Sequence, residues 1–75
     1  MTTADIVRER ALSLAQSRAE PGEAVRELLD CCGGRRVAAV KARQQLMAWV
    51  DSEPDQQAAM LAIQYLDGLL DRLPV

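Results

Sequence analysis

The stretch SEPDQQAAMLAIQYLDGLLDRL, residues 52–73, decides the fold because it has the pattern of one long amphipathic helix. Ser52 can cap this helix, with Glu53 and Pro54 in the first turn and Asp55 at the third helical position, a variant of the Ser-x-x-Glu capping box. Apolar residues then recur at spacings of three and four, which is the period of one helical face. They are Ala59, Ala62, Ile63, Leu66, Leu69, Leu70 and Leu73. The pattern predicts a helix over 53–72.

The apolar surface of this helix is unusually wide. A second set of small and apolar residues adjoins the first, namely Ala58, Leu61, Tyr65 and Gly68. At about 100° per residue the two sets together span roughly 200°, about twice the arc of an ordinary core-facing helix. Such an arc indicates either a partner chain or a central position among the other helices of the same chain. In the second case only Met60, Leu61 and Tyr65 still point to a partner.

Three shorter helices are predicted before it, over 3–18, 23–32 and 36–50. Glu20-Pro21-Gly22 separates the first two, because a residue before proline is pushed out of the helical region. Gly33-Gly34 ends the second helix, and the third carries mostly small residues with Trp49 on its predicted core face. We therefore predict one all-α domain over 1–75. Its architecture is a compact antiparallel four-helix bundle or helical-hairpin domain with short loops, and dimerisation is one way to complete its core.

Composition limits what can stabilise so small a domain. A chain of 75 residues buries only about 60% of the surface that it exposes when unfolded. Domains of this size usually need an additional source of stability, such as disulfides, a metal ion, oligomerisation or very regular helix packing. The only cysteines, Cys31 and Cys32, are adjacent and cannot tie distant segments of one chain together. There is no histidine and no Cys-x-x-Cys pair, so we expect no bound metal and no cofactor. Cys32 is predicted to pack in the core and Cys31 to be more exposed.

The sequence also argues against catalysis and against a membrane span. General acid-base chemistry needs a histidine or converging carboxylates, whereas the acidic residues here have the spacing of solvated helix surfaces. We therefore expect no enzymatic activity. The longest apolar run, over 58–63, is far shorter than the roughly 18 residues of a membrane helix, and the N-terminus lacks the apolar core of a secretory signal. A cytoplasmic location is the resulting expectation.

A basic stretch supports one alternative function. No acidic residue lies between Asp30 and Asp51, and this interval contains Arg35, Arg36, Lys41 and Arg43. A helix-turn-helix that uses these four cations on DNA is the corresponding hypothesis. Against it, Lys41 and Arg43 are roughly 160–200° apart around a helix, and the formal net charge is −2. A small DNA-binding regulator remains the alternative.

The leading prediction is a small non-enzymatic protein interaction module, which acts as a regulatory, adaptor or inhibitor protein. Aromatic residues and methionine are enriched at interfaces, and Met60 projects from the polar side of the last helix. The predicted interface residues are Met60, Leu61, Tyr65 and Met47. Self-association through the last helix, as a homodimer, is the preferred form of contact. A second form of contact uses the acidic residues of the last helix and of the segment just before it, which would cover a basic site on a partner. These residues are Asp51, Glu53, Asp55, Asp67 and Asp71.

Overall fold

The computed structural model describes residues 1–73 and contains four α-helices. They are α1 (Thr3–Gln16), α2 (Pro21–Cys32), α3 (Arg36–Trp49) and α4 (Gln56–Arg72). A short 3₁₀ turn, Val50–Ser52, precedes α4. The helices pack compactly on one another, so the predicted all-α four-helix fold is confirmed.

The helices α1 and α4 form the centre of the bundle. Each of them packs against the three other helices, whereas α2 and α3 lie on opposite sides of this pair and barely meet. The helices α3 and α4 are antiparallel, since Arg36 near the start of α3 hydrogen-bonds to Leu70 near the end of α4. The helices α1 and α3 run in the same direction, because their first turns line one groove and Arg8 of α1 then reaches Gln45 of α3.

The first helix ends earlier than predicted, at Gln16 instead of Arg18. Arg18 adopts the left-handed conformation, with a φ of 58°. Its N–H donates to the carbonyl of Ala15, and the N–H of Ala19 donates to the carbonyl of Leu14. This pair of bonds is a Schellman motif, which satisfies the last carbonyls of a helix and prevents its continuation.

The predicted start of α4 is wrong. Ser52 belongs to the 3₁₀ turn and caps nothing, and Glu53 is extended with a ψ of 133°. The cause is Pro54, because a proline excludes the preceding residue from the helical region. The helix therefore begins after the proline, and the Asp55 side chain caps it by accepting a hydrogen bond of 3.0 Å from the Ala58 N–H.

The boundaries of α2 and α3 differ from the predictions by one or two residues. Pro21 is the first residue of α2, where its missing N–H costs no hydrogen bond, so the helix begins two residues earlier than predicted. Gly33 and Gly34 follow α2 with φ values of 61° and 76°, which glycine adopts without a steric cost. The helix α3 ends at Trp49, because Val50 enters the 3₁₀ turn.

The core is built mainly from small residues, which lets the helices approach closely. Fully buried alanines on all four helices surround a few larger side chains, of which Tyr65 is the largest. A Cβ added at Gly68 of α4 would lie 3.1 Å from Val25 Cγ2 of α2, so the absence of a side chain there permits this helix contact. The wide arc of α4 is covered largely within the chain, since α1, α2 and α3 all pack on it.

The N-terminus of α1 makes stability depend on pH. The Thr2 N–H donates to the Asp5 carboxylate at 3.1 Å, and the Asp5 N–H donates to the Thr2 hydroxyl at 3.2 Å. The backbone hydrogen bond from Thr2, helped by the charge of Arg8, lowers the pKa of Asp5. A carboxyl whose folded pKa is lowered stabilises the fold above its unfolded pKa of about 4, and this contribution is lost as the pH falls through the folded pKa.

We therefore expect Asp5→Asn to lower the thermal midpoint at neutral pH. The difference between wild type and variant should shrink as the pH falls below about 4, where the wild-type carboxylate itself becomes protonated. Thermal melts followed by circular dichroism at a series of pH values measure this difference. A gap that stayed constant down to pH of about 2 would show that the ionised carboxylate is not what stabilises the cap.

Candidate protein interaction surface

The structure separates the four residues predicted to form an interface. Met47 and Met60 are 50% and 58% exposed and belong to the surface. Leu61 is half-buried against the core. Tyr65 is only 2% exposed and its hydroxyl donates to the carbonyl of Ala19, so the prediction that its side chain faces a partner is wrong. Tyr65 instead joins α4 to the connection between α1 and α2.

The register of the α3–α4 hairpin places the two methionines in the same region. The Arg43 Nε atom lies 2.6 Å from the Asp67 carboxylate, and an Arg36 nitrogen lies 3.0 Å from the carbonyl of Leu70. Because the helices are antiparallel, the turn of α3 that follows Arg43 lies beside the turn of α4 that precedes Asp67. Met47 occupies the first of these turns, and Met60 and Ile63 precede Asp67 on α4.

We call the outer side of this hairpin the seam and define it by six apolar residues. They are Val40, Met47, Val50, Met60, Ile63 and Leu70, and all are half-buried or exposed. The ion pair Arg43–Asp67 crosses the seam between the two helices. Apolar residues with few charges at the centre are typical of the core of a protein interface.

Along α3 and the turn that follows it, the charged residues of the seam change sign from one end to the other. The end at the start of α3 holds Arg36 and Arg43, and Asp67 of α4 pairs with Arg43 there. The acidic end, between α3 and α4, holds Asp51, Glu53 and Asp55. The α3 side of the seam is therefore a strip with an apolar middle, two arginines at one end and carboxylates at the other.

The four cations of the DNA-binding hypothesis do not share one surface. Arg36 and Arg43 point toward α4, where they bind the Leu70 carbonyl and the Asp67 carboxylate. Arg35 and Lys41 instead line a groove of about 550 Å³ between the first turns of α1 and α3. Thr2, Asp5 and Val37 also line that groove, so its wall is mixed in charge and polarity. The geometry does not favour the nucleic-acid alternative.

The acidic residues proposed to cover a basic partner are also divided. Asp67 is paired with Arg43 at 2.6 Å, whereas Asp51, Glu53 and Asp55 lie at the opposite end of the hairpin. Asp55 additionally caps α4. This arrangement gives the strip its two charged ends instead of one continuous acidic face.

Trp49 is not in the core as the sequence predicted, because its side chain lies at the edge of the bundle and is 46% exposed. The Arg8 guanidinium carbon lies 4.8 Å from the centre of the indole ring, a cation–π arrangement. Arg8 also bonds to Asp5 and Gln45, which fixes the guanidinium between α1 and α3. The i,i+3 spacing of Asp5 and Arg8 is the only sequence signal for this cluster, which lies on the α1 side of α3.

Both cysteines are free thiols in the part of the chain that the structure describes, and neither is classed as exposed. Burial raises the pKa of the Cys31 thiol, which keeps it protonated and weakly nucleophilic. Cys32 is buried, as predicted. Residues 1–73 contain no group of three or more side chains placed to hold a metal ion. Within the same residues, no helix is long and apolar enough to cross a membrane.

Comparison of the chain with protein-family models, curated proteins and solved structures finds no match.

Proposed function

We propose that the chain is a small non-enzymatic protein interaction module that associates with itself through the seam. The observation that carries this proposal is the exposure of Met47 and Met60 on one side of the α3–α4 hairpin. Methionine is flexible and polarisable, so two such side chains can adapt to an apolar partner surface. Because each side chain is about half-exposed in the monomer, burying the rest of it in a contact contributes roughly 1–1.5 kcal/mol.

The size of the chain sets how much of its surface a dimer must cover. A standard interface buries about 800 Å² on each partner. This is roughly a sixth of the 4624 Å² of accessible surface of the chain. The outer side of a two-helix hairpin whose helices have 14 and 17 residues can supply this area. We expect a dissociation constant on the order of 10 µM, which is typical of a small interface without buried aromatic anchors.

Methyl NMR on the unmodified protein tests which surface is used. The chain has two isoleucines, Ile63 in the seam and Ile6 on α1, so Ile6 is an internal reference. In a dilution series with labelled Met and Ile methyl groups, the signals of Met47, Met60 and Ile63 should shift with concentration. The Ile6 signal should stay constant, because Arg10 on the same side of α1 pairs with Glu27 of α2, away from the seam.

Two results would count against the proposal. If no methyl signal changed up to about 500 µM, self-association would be absent at any relevant affinity. If Ile6 shifted and the seam methyl groups did not, a different surface would mediate the contact.

A further inference from the structure

We infer that two copies of this chain pair about a two-fold axis with their α3 helices antiparallel, so that Met47 faces Met47 and each Arg43 meets Asp51 of the second copy. This inference rests on the proposed function and specifies the partner and its orientation at the same surface. It follows from a symmetry in the spacing of charged and apolar residues along α3.

Arg43, Met47 and Asp51 are spaced at i, i+4 and i+8, which places Arg43 and Met47 on one stripe of α3 and makes Asp51 the next position with this spacing. At about 1.5 Å per residue, the charged residues lie roughly 6 Å on either side of Met47 along the axis. The helix α3 itself ends at Trp49, and Asp51 is exposed in the 3₁₀ turn that follows it directly. The stripe is therefore positive, apolar and negative, with Met47 at its centre.

An antiparallel two-fold contact is the arrangement that matches this stripe with itself. Rotation about an axis beside Met47 exchanges the two ends, so Arg43 of each copy lies opposite Asp51 of the other. A parallel contact would instead oppose Arg43 to Arg43 and Asp51 to Asp51, which is unfavourable. The two-fold contact is also closed, which limits the assembly to a dimer.

The Arg43 and Asp51 side chains can still form hydrogen bonds across this contact. Arg43 uses its Nε atom on Asp67, and a guanidinium also has two terminal nitrogens that can donate. The Arg43 side chain is 34% exposed, so these nitrogens can be reached from outside. In the part of the chain that the structure describes, the Asp51 carboxylate makes no hydrogen bond or ion pair, and only its backbone carbonyl accepts one, from Gln56.

Charge-reversal variants measured by analytical ultracentrifugation test the orientation. We expect Asp51→Arg and Arg43→Glu, each alone, to weaken the homodimer by about tenfold or more, because each creates two like-charge contacts. In an equimolar mixture of the two variants, every contact again joins unlike charges. The mixture should therefore form a heterodimer with an affinity within about threefold of wild type. Asp30→Arg on the exposed side of α2 is the matched control and should leave the dimer unchanged.

The outcomes separate the orientation from the function itself. A wild-type protein that stays monomeric overturns both. A wild-type dimer that Met47→Glu dissociates but Asp51→Arg leaves intact overturns the orientation and keeps the seam as the contact surface. A mixture that forms no heterodimer, although both single variants are folded by circular dichroism, also overturns the orientation. Arg43→Glu also breaks the ion pair with Asp67 within the chain, so its effect on the dimer has two causes. Asp51→Arg is therefore the single variant that decides the orientation.

Discussion

Replacing Leu66 by alanine lowers the free energy of unfolding by about 3 kcal/mol, the largest stability effect that we expect from a single substitution in this chain. Leu66 is fully buried on α4, the helix that packs against all three others. Seven alanines belong to the same buried cluster, and their side chains have no rotatable atoms that could fill the cavity. A domain of 75 residues has a total stability of about 4–11 kcal/mol, so the loss is a large part of it.

Urea denaturation at a concentration where the protein is monomeric measures this effect. Leu29→Ala on α2 is the matched control, because it removes the same atoms from a half-buried leucine and should cost about 1 kcal/mol. If the two substitutions cost the same, the alanine-rich centre around α4 is not the main source of stability.

Replacing Met47 by glutamate weakens the homodimer by about 100-fold, the largest effect that we expect on association. The two-fold axis beside Met47 would bring the two introduced carboxylates against each other in the middle of the contact. Each copy also loses the burial of an apolar side chain that is 50% exposed in the monomer. The fold should be unaffected, since Met47 is not part of the buried core.

The matched control for this variant is Ile6→Glu, which introduces the same charge at an exposed apolar residue of α1. We expect its dimer affinity to equal that of wild type, because Ile6 lies on the α2 side of the bundle. Sedimentation equilibrium compares the three proteins. Equal weakening by both variants would show that added negative charge, and not the loss of Met47 from the seam, reduces association.

The helices of this chain are predictable because their apolar residues recur with the helical period. On α4 the spacing of Leu66 and Leu69 identifies the buried face, and both side chains are fully buried. The helix ends are less predictable because they depend on the backbone of single residues. Pro54 excludes Glu53 from α4, and the left-handed conformation of Arg18 ends α1 at Gln16.

The periodicity of one helix does not show how far its neighbours extend along it. The sequence predicts Trp49 on the core face of α3, yet this residue lies in the last turn of α3 at the edge of the bundle. The sequence predicts Tyr65 at an interface, yet α4 is central and its second face is covered within the chain. Both errors have the same cause, which is that burial depends on the positions of other helices.

The candidate surface was predicted only in part for a related reason. Met47 and Met60 are predicted interface residues, and each is at the surface. Their common location depends on the α3–α4 register, which the Arg43–Asp67 pair and the bond from Arg36 to Leu70 define. A pattern within one helix contains no information about that register, so the strip with opposite charges at its ends emerged only from the fold.

The mass of the wild-type protein in solution tests the central claim, self-association through the seam, most directly. Multi-angle light scattering from about 1 to 500 µM should show a mass that rises from that of one chain, 8.2 kDa, toward twice this value and not beyond it. The mass of the Met47→Glu variant should stay near 8.2 kDa over most of this range. A wild-type mass of 8.2 kDa at every concentration would contradict the account.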